Sequence, residues 1–285
     1  NGNYKMIFAV GGVCGYNYGK ISYCAFAESA QVADMSVVSG DTATWYSPDY
    51  AGGICGYNSN GAIEQCRSYG TVSLSENPHT EKTTPFYYGG IAGVNDEGYI
   101  SCTASKAKVI LSGTASELFY AGGFTGKNSG NIENCSYAPS GNAIAAYNCA
   151  AMTAENSGHM ENCYANFRTG YANTKGIAVT NTGTLRNVYY ACSSVAETIP
   201  GTKKTPVQLT KDDLYTDWPI GICWTKGSYA LPTLTDNINQ YAFSGGSGTE
   251  RSPYIIKTAQ DLYNMRFDKS ASYKIESDIT YDGLW

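Results

Sequence analysis

One unit recurs six times in the first two thirds of this 285-residue chain, and tandem repetition restricts a fold more tightly than composition does. With the second glycine of a Gly-Gly pair, or its equivalent, as origin, the copies begin at Gly12, Gly53, Gly90, Gly123, Ala151 and Gly176, spaced by 41, 37, 33, 28 and 25 residues. One place on, the residue is apolar: Val13, Ile54, Ile91, Phe124, Met152, Ile177. Three places on it is small or apolar: Gly15, Gly56, Gly93, Gly126, Ala154, Val179. Five places on it is Asn in all six: Asn17, Asn58, Asn95, Asn128, Asn156, Asn181. A turn glycine follows (Gly19, Gly61, Gly98, Gly130, Gly158, Gly183), then Ile21, Ile63, Ile100, Ile132, Met160 or Leu185. The unit closes on Cys24, Cys66, Cys102, Cys135, Cys163 and, last, Val188, with one-residue slips near the turn in copies two and three.

Apolar and small positions at alternate residues have the period of a strand. The Asn-x-Gly or Asn-x-x-Gly element tolerates positive φ, so the chain turns there, and a second short strand points its Ile and Cys inward. One unit cannot bury its own apolar face, whereas units stacked about 4.8 Å apart can. The expected fold is all-β: a parallel β-helix (β-solenoid) of about six coils, roughly 29 Å long and right-handed by the crossover rule, with small α-containing C-terminal cap segments. Stacking puts the six Asn in one column, where their amides can hydrogen-bond along the rod or to their own turns.

Composition agrees with short strands and tight turns: 32 Gly, 25 Tyr, 42% hydrophobic and only 15% charged residues, which argues against disorder. At net charge −5, with no Lys/Arg cluster larger than Lys203-Lys204, a nucleic-acid partner is not expected. No apolar run approaches the roughly 18 residues of a membrane helix, so the chain is expected not to span a membrane. It opens at Asn1 close to the first repeat, and reads as a mature or excised part of a larger multidomain chain.

The runs Gly-Gly-Val-Cys-Gly-Tyr-Asn (11–17), Gly-Gly-Ile-Cys-Gly-Tyr-Asn (52–58) and Gly-Gly-Ile-Ala-Gly-Val-Asn (89–95) resemble the GLUG motif of bacterial cell-surface proteins, and the likeness spans about 9–190. Such repeats occur in adhesins and in the non-catalytic parts of IgA-cleaving metallopeptidases. The resemblance implies a secreted or cell-surface location. It does not bring proteolysis, because the His-Glu-x-x-His zinc motif is absent and only His79 and His159 occur. Residues 1–204 are then the solenoid. The Trp-containing segment 205–240 looks like the closing cap of such solenoids and is expected over the last coil's exposed strands. Residues 241–285 are a linker followed by a strand, a capped helix from Thr258 to about Phe267, and a strand over Tyr273–Ile279. They read either as the start of a further β-helix-type module or as an extra cap.

Stacked ladder cysteines stand too far apart to bridge, so the ten cysteines are expected to be mostly reduced and buried, as suits a secreted protein of an anaerobe. Cys149, Cys192 and Cys223 lie off the ladder, and any disulfide should involve them. No metal, cofactor or catalytic constellation is apparent. An enzyme is the less favoured reading; a carbohydrate-active β-helix would need paired carboxylates, for which the adjacent-coil Glu133 and Glu161 are the candidates. The better functional signal is aromatic. Tyr50, Tyr87 and Tyr120 share one offset in successive coils, and Tyr16 and Tyr57 share another. Exposed tyrosine rows suit stacking on sugar rings or on a host surface protein. The expected function is thus a non-catalytic structural or adhesive module, with a bare spacer stalk as the remaining alternative.

Overall fold

The computed structural model describes residues 8–33, 35–39, 42–46, 49–74, 84–111, 117–170, 173–192, 194–195, 200–221, 223–235, 243–265 and 271–280. The chain divides into two units, Asn1–Leu234 and Thr235–Trp285. In the first, each of coils one to four runs through four parallel sheets in turn, and the last two coils through fewer. Sheet A stacks Ala9–Gly11, Tyr50–Gly52, Phe86–Gly89, Phe119–Gly122 and Asn148–Ala150. Sheet B stacks Cys14–Asn17, Cys55–Ser59, Ala92–Asp96, Thr125–Asn128, Thr153–Asn156 and Ala178–Asn181. Sheet C is bent. It takes two short strands from the early coils, beginning with Lys20–Ser22 and Ala25–Phe26, and one long strand from each of the last two, His159–Asn166 and Thr184–Ala191. Sheet D holds Gln31–Val32, Thr71–Leu74, Lys108–Leu111 and Ile144–Ala145. This is the parallel β-solenoid that the repeat requires.

The register explains the core. Ile21, Ile63, Ile100, Ile132, Met160 and Leu185 form one column through sheet C. The middle four, like Ile54, Ile91, Phe124, Met152 and Ile177, have no exposed surface, and full burial of each contributes roughly 1.5–3 kcal/mol. Val13 occupies the same repeat position in coil one and is 46% exposed, because coil one has a described neighbour on one side only. The asparagine column is continuous. Each Nδ2 donates to the Oδ1 of the next coil, from Asn17 to Asn181, at 2.6–2.8 Å. Asn17, Asn58, Asn95, Asn128 and Asn181 also donate to the carbonyl of their own turn glycine. Small residues at the third position are needed because sheets A and B nearly touch. A Cβ placed on Gly93 would lie 2.6 Å from the Gly56 carbonyl oxygen and 2.7 Å from the Ala51 amide nitrogen.

Sheet C bends at a left-handed residue in every coil: Tyr23, Gln65, Cys102, Asn134, Asn162 and Asn187, with φ between 43° and 57°. The slips of copies two and three are two further left-handed residues, Asn60 and Glu97. They correct the cysteine alignment. Ile100 pairs with Ile63 and Ile132, so the residue level with Cys66 and Cys135 is Thr103, and Cys102 stands at the bend instead. Thr103 replaces the thiol faithfully. Its Oγ1 donates to the carbonyl two residues back at 2.7 Å, as the Sγ atoms of Cys66, Cys135 and Cys163 do at 3.1–3.2 Å.

The shortening of successive coils occurs at one corner, between sheets D and A. The connections there are 33–49, 75–85, 112–118 and 146–147. The first carries an antiparallel hairpin, Met35–Ser39 with Thr42–Tyr46; in 67–88, residues 67–68, 71–74 and 86–88 belong to sheets C, D and A, and 75–83 lie outside the described residues.

Residues 205–234 depart from the expected end cap. A strand at Thr202–Lys203 adds a rung beyond Tyr189 and Tyr190, and the chain then turns back along the flank of sheet C. Two 3-10 turns, Gln208–Thr210 and Asp212–Tyr215, and a small hairpin, Trp224–Thr225 with Thr233–Leu234, make up this strap. Trp218 stacks on Tyr189 of coil six at 6.4 Å, and Trp224 lies 5.8 Å from Tyr164 of coil five. Cys223 is disulfide-bonded to Cys102 of coil three, and the Leu234 carbonyl accepts from Arg67 of coil two at 3.5 Å. The outward aromatic rings of sheet C, Tyr164 in coil five and Tyr189 in coil six, give the tryptophans apolar surface along the rod, so the segment packs lengthwise. The disulfide involves Cys223 as expected, but its partner is Cys102, the cysteine that the bend removes from the ladder. The other eight cysteines are free, six of them buried.

The second unit pairs Tyr254–Ile256 in parallel with Tyr273–Ile275 around a helix, Ala259–Asn264. A capping box starts the helix. Asp261 accepts from the Thr258 amide, and Thr258 Oγ1 accepts from the Asp261 amide. Phe243 stacks on Tyr254 at 4.1 Å. Phe267, where the helix was expected to end, lies outside the described residues.

Candidate binding face

The tyrosine columns are real columns. Tyr87 pairs with Tyr50 and Tyr120 across sheet A, and Tyr16 pairs with Tyr57 across sheet B. They are also one cluster. The Gly-Gly pair folds strand A sharply onto strand B, so Tyr50 and Tyr57, seven residues apart, bring their rings to 5.1 Å. Neighbouring rings follow at 5.7 Å (Tyr16–Tyr57), 6.3 Å (Tyr50–Tyr87) and 5.2 Å (Tyr87–Tyr120). Tyr18 extends the cluster by stacking on Tyr16 at 6.3 Å. Exposure is uneven: Tyr18 and Tyr16 are 72% and 41% exposed, Tyr50, Tyr57 and Tyr120 half-buried, and Tyr87 only 8% exposed. Five rings held on rigid strands cost little further entropy on binding.

Polar groups that the repeat does not advertise complete this face. Tyr57 donates its hydroxyl to Asp96 at 2.7 Å, and Ser129 donates to the other Asp96 oxygen at 2.9 Å. Tyr87 donates to Glu155, two coils on, at 2.8 Å. Lys127 places its ammonium 5.5 Å from the Tyr87 ring centre and 3.8 Å from Glu155. Burial first, and these carboxylates second, push the Tyr57 and Tyr87 phenols well above their ordinary value. Burial with Asp49 and Asp96 raises Tyr50, and burial with Glu155 and Glu117 raises Tyr120. Only registering the coils against one another brings Asp96, Lys127 and Glu155 beside the tyrosines. Read singly, each is an ordinary outward polar residue.

Glu133 and Glu161 are paired neighbours on sheet C, as their spacing requires. Each is committed elsewhere. Glu133 accepts from Tyr99 at 2.9 Å, while Glu161 meets Arg186 and His159, both at 3.3 Å. They stand side by side on one face rather than across a cleft. His159 opens a strand, with Nδ1 2.7 Å from Thr184 Oγ1. His79 lies outside the described residues. A depression of about 300 Å³ on sheet D is lined by Ile110, Asn142, Ile144, Ala145 and Gly170, which offer shape but no titratable group. No group of three His, Cys, Asp or Glu among the described residues is placed to hold a metal ion. No described helix is long and apolar enough to cross a membrane. Set against known proteins, the chain is matched by no family model, no curated protein and no solved structure.

Proposed function

We propose that this chain is a non-catalytic module of a secreted or surface-displayed bacterial protein, built on GLUG-like repeats, whose tyrosine face engages a glycan or a host surface protein. The observation that supports it most is the continuous contact of Tyr16, Tyr57, Tyr50, Tyr87 and Tyr120 across two sheets. Rows of rings that served only to stabilise their own strands would have no need to converge at a sheet corner and stay partly exposed. The solenoid would then act as a rigid stand for the face, and the loops between sheets D and A as a second place for specificity.

The test is a glycan, mucin and host-protein array probed with the purified chain and with a Tyr16→Ala/Tyr50→Ala/Tyr120→Ala variant. Tyr87 is left intact because it is nearly buried and bonded to Glu155. The reading expects array signal that falls at least about tenfold in a variant with an unchanged melting temperature, as loss of several aromatic contacts requires. Signal that survives the three substitutions would move the function elsewhere, and a chain that binds nothing would be a spacer.

A further inference from the structure

The tyrosine face is aromatic and also electronegative. Asp49, Asp96, Glu117 and Glu155 are the carboxylates that act on its phenols. Against them, among the described residues, stands Lys127, in contact with the ring of Tyr87. Its placement is instructive. The ammonium lies over Tyr87 while paired with Glu155, so the face already accommodates one basic side chain by combining a ring and a carboxylate. Two coils nearer the N-terminus the same ingredients recur without the lysine. Lys127 is level with Val94, and Val94 with Tyr57, in the sheet B column. There Tyr50 and Tyr57 meet at 5.1 Å beside Asp96, whose oxygens accept from Tyr57 and Ser129 and, as a carboxylate's, have lone pairs for more.

Resting on the binding reading above, we propose that the partner of this face is a protein segment bearing arginine or lysine, one of whose basic side chains lies over Tyr50 and Tyr57 beside Asp96 as Lys127 lies over Tyr87 beside Glu155. Charge complementarity selects this occupant. Sialylated or sulfated glycans carry the wrong sign, and neutral sugars can donate hydroxyls to the carboxylates but do not offset their net charge.

A fluorescently labelled acetyl-tetra-arginine amide, titrated by polarisation at about 20 and 150 mM salt, tests this, with acetyl-tetra-glutamine amide, an uncharged chitin oligosaccharide and its deacetylated form as the other probes. The tetra-arginine peptide is expected to bind, and to bind less tightly at the higher salt. Asp96→Asn and Tyr50→Ala should each weaken it about threefold to tenfold. Lys127→Met removes the competing cation and uncovers the ring of Tyr87, so it should tighten binding severalfold, a gain that misfolding does not produce. No binding by tetra-arginine, or binding indifferent to all three substitutions, overturns the proposal. A deacetylated oligosaccharide that outcompetes the peptide also overturns it, in favour of an amino sugar. Tyrosine-dependent binding of the uncharged oligosaccharide alone would overturn the basic partner and leave the binding face standing.

Discussion

At the scale of single residues, the fold depends most on side chains that bond both along the rod and back to their own turn. Asn95 donates to Asn128 and to the Gly98 carbonyl and accepts from Asn58, with no exposed surface. Replacing it with Ala strands one N–H of the Asn58 amide and the Asn128 side-chain oxygen in the core, and should lower unfolding free energy by about 3 kcal/mol in urea titrations. Asn17→Ala, in coil one, breaks one ladder bond instead of two and should cost about 1 kcal/mol. Equal costs at the two sites would mean that the ladder is incidental. The ladder was legible in the sequence because the same residue recurs at the same offset. The second amide column, at the sheet C bend, was not. Asn187 donates to Asn162 at 3.1 Å, but Tyr23, Gln65 and Cys102 hold the same place in earlier coils, since the bend selects a backbone conformation rather than a side chain.

At the scale of elements, the strap shows where periodicity stops being informative. Trp218 and Trp224 announce that residues 205–234 bury aromatic surface, yet nothing in a non-repeating segment says which face receives it. Its position follows from Tyr164, Tyr189 and Cys102, all of which point outward from sheet C. Cys102 looked like a ladder thiol because the one-residue slip at the turn, which falls at Glu97, moves the ladder position on to Thr103 while a cysteine happens to stand one residue before it. The disulfide closes a loop of sequence separation 121 and should stabilise the oxidised protein by about 4–5 kcal/mol. Cys102→Ser/Cys223→Ser should lose that amount in oxidising buffer, and a reductant should bring the parent chain to the level of the variant. A parent chain whose urea midpoint ignores reductant would show that the aromatic contacts alone hold the strap.

At the scale of the whole molecule, the repeat specified the coil, its inward column and the order of its turns, and the sheets follow it copy by copy. What stayed hidden lies between copies: the convergence of two tyrosine columns at the A–B corner, and the placing of Glu155 against Tyr87 two coils away. The interior also gives the molecule a pH limit. Burial, foremost, raises Cys66 to about 12 from 9.0, and Tyr164 to about 12 from 10.0. The folded state therefore keeps protons that the unfolded chain releases above about pH 9, so stability is full below that value and declines as pH rises towards 12. The Cys102→Ser/Cys223→Ser variant, kept in reductant to prevent disulfide exchange, should show a falling urea midpoint from pH 8 to 10.5; a flat profile would place those groups in contact with water. Finally, the Cys102–Cys223 bond governs how a chain anchored at both ends of this unit carries a load. Tension entering past Cys223 crosses directly to coil three, so the lower half of coil three and coils four to six carry none of it. The bond withholds roughly 400 Å of contour length, at about 3.5 Å per residue, and a tethered oxidised molecule lengthens by peeling coils one to three and the short hairpin after Cys223.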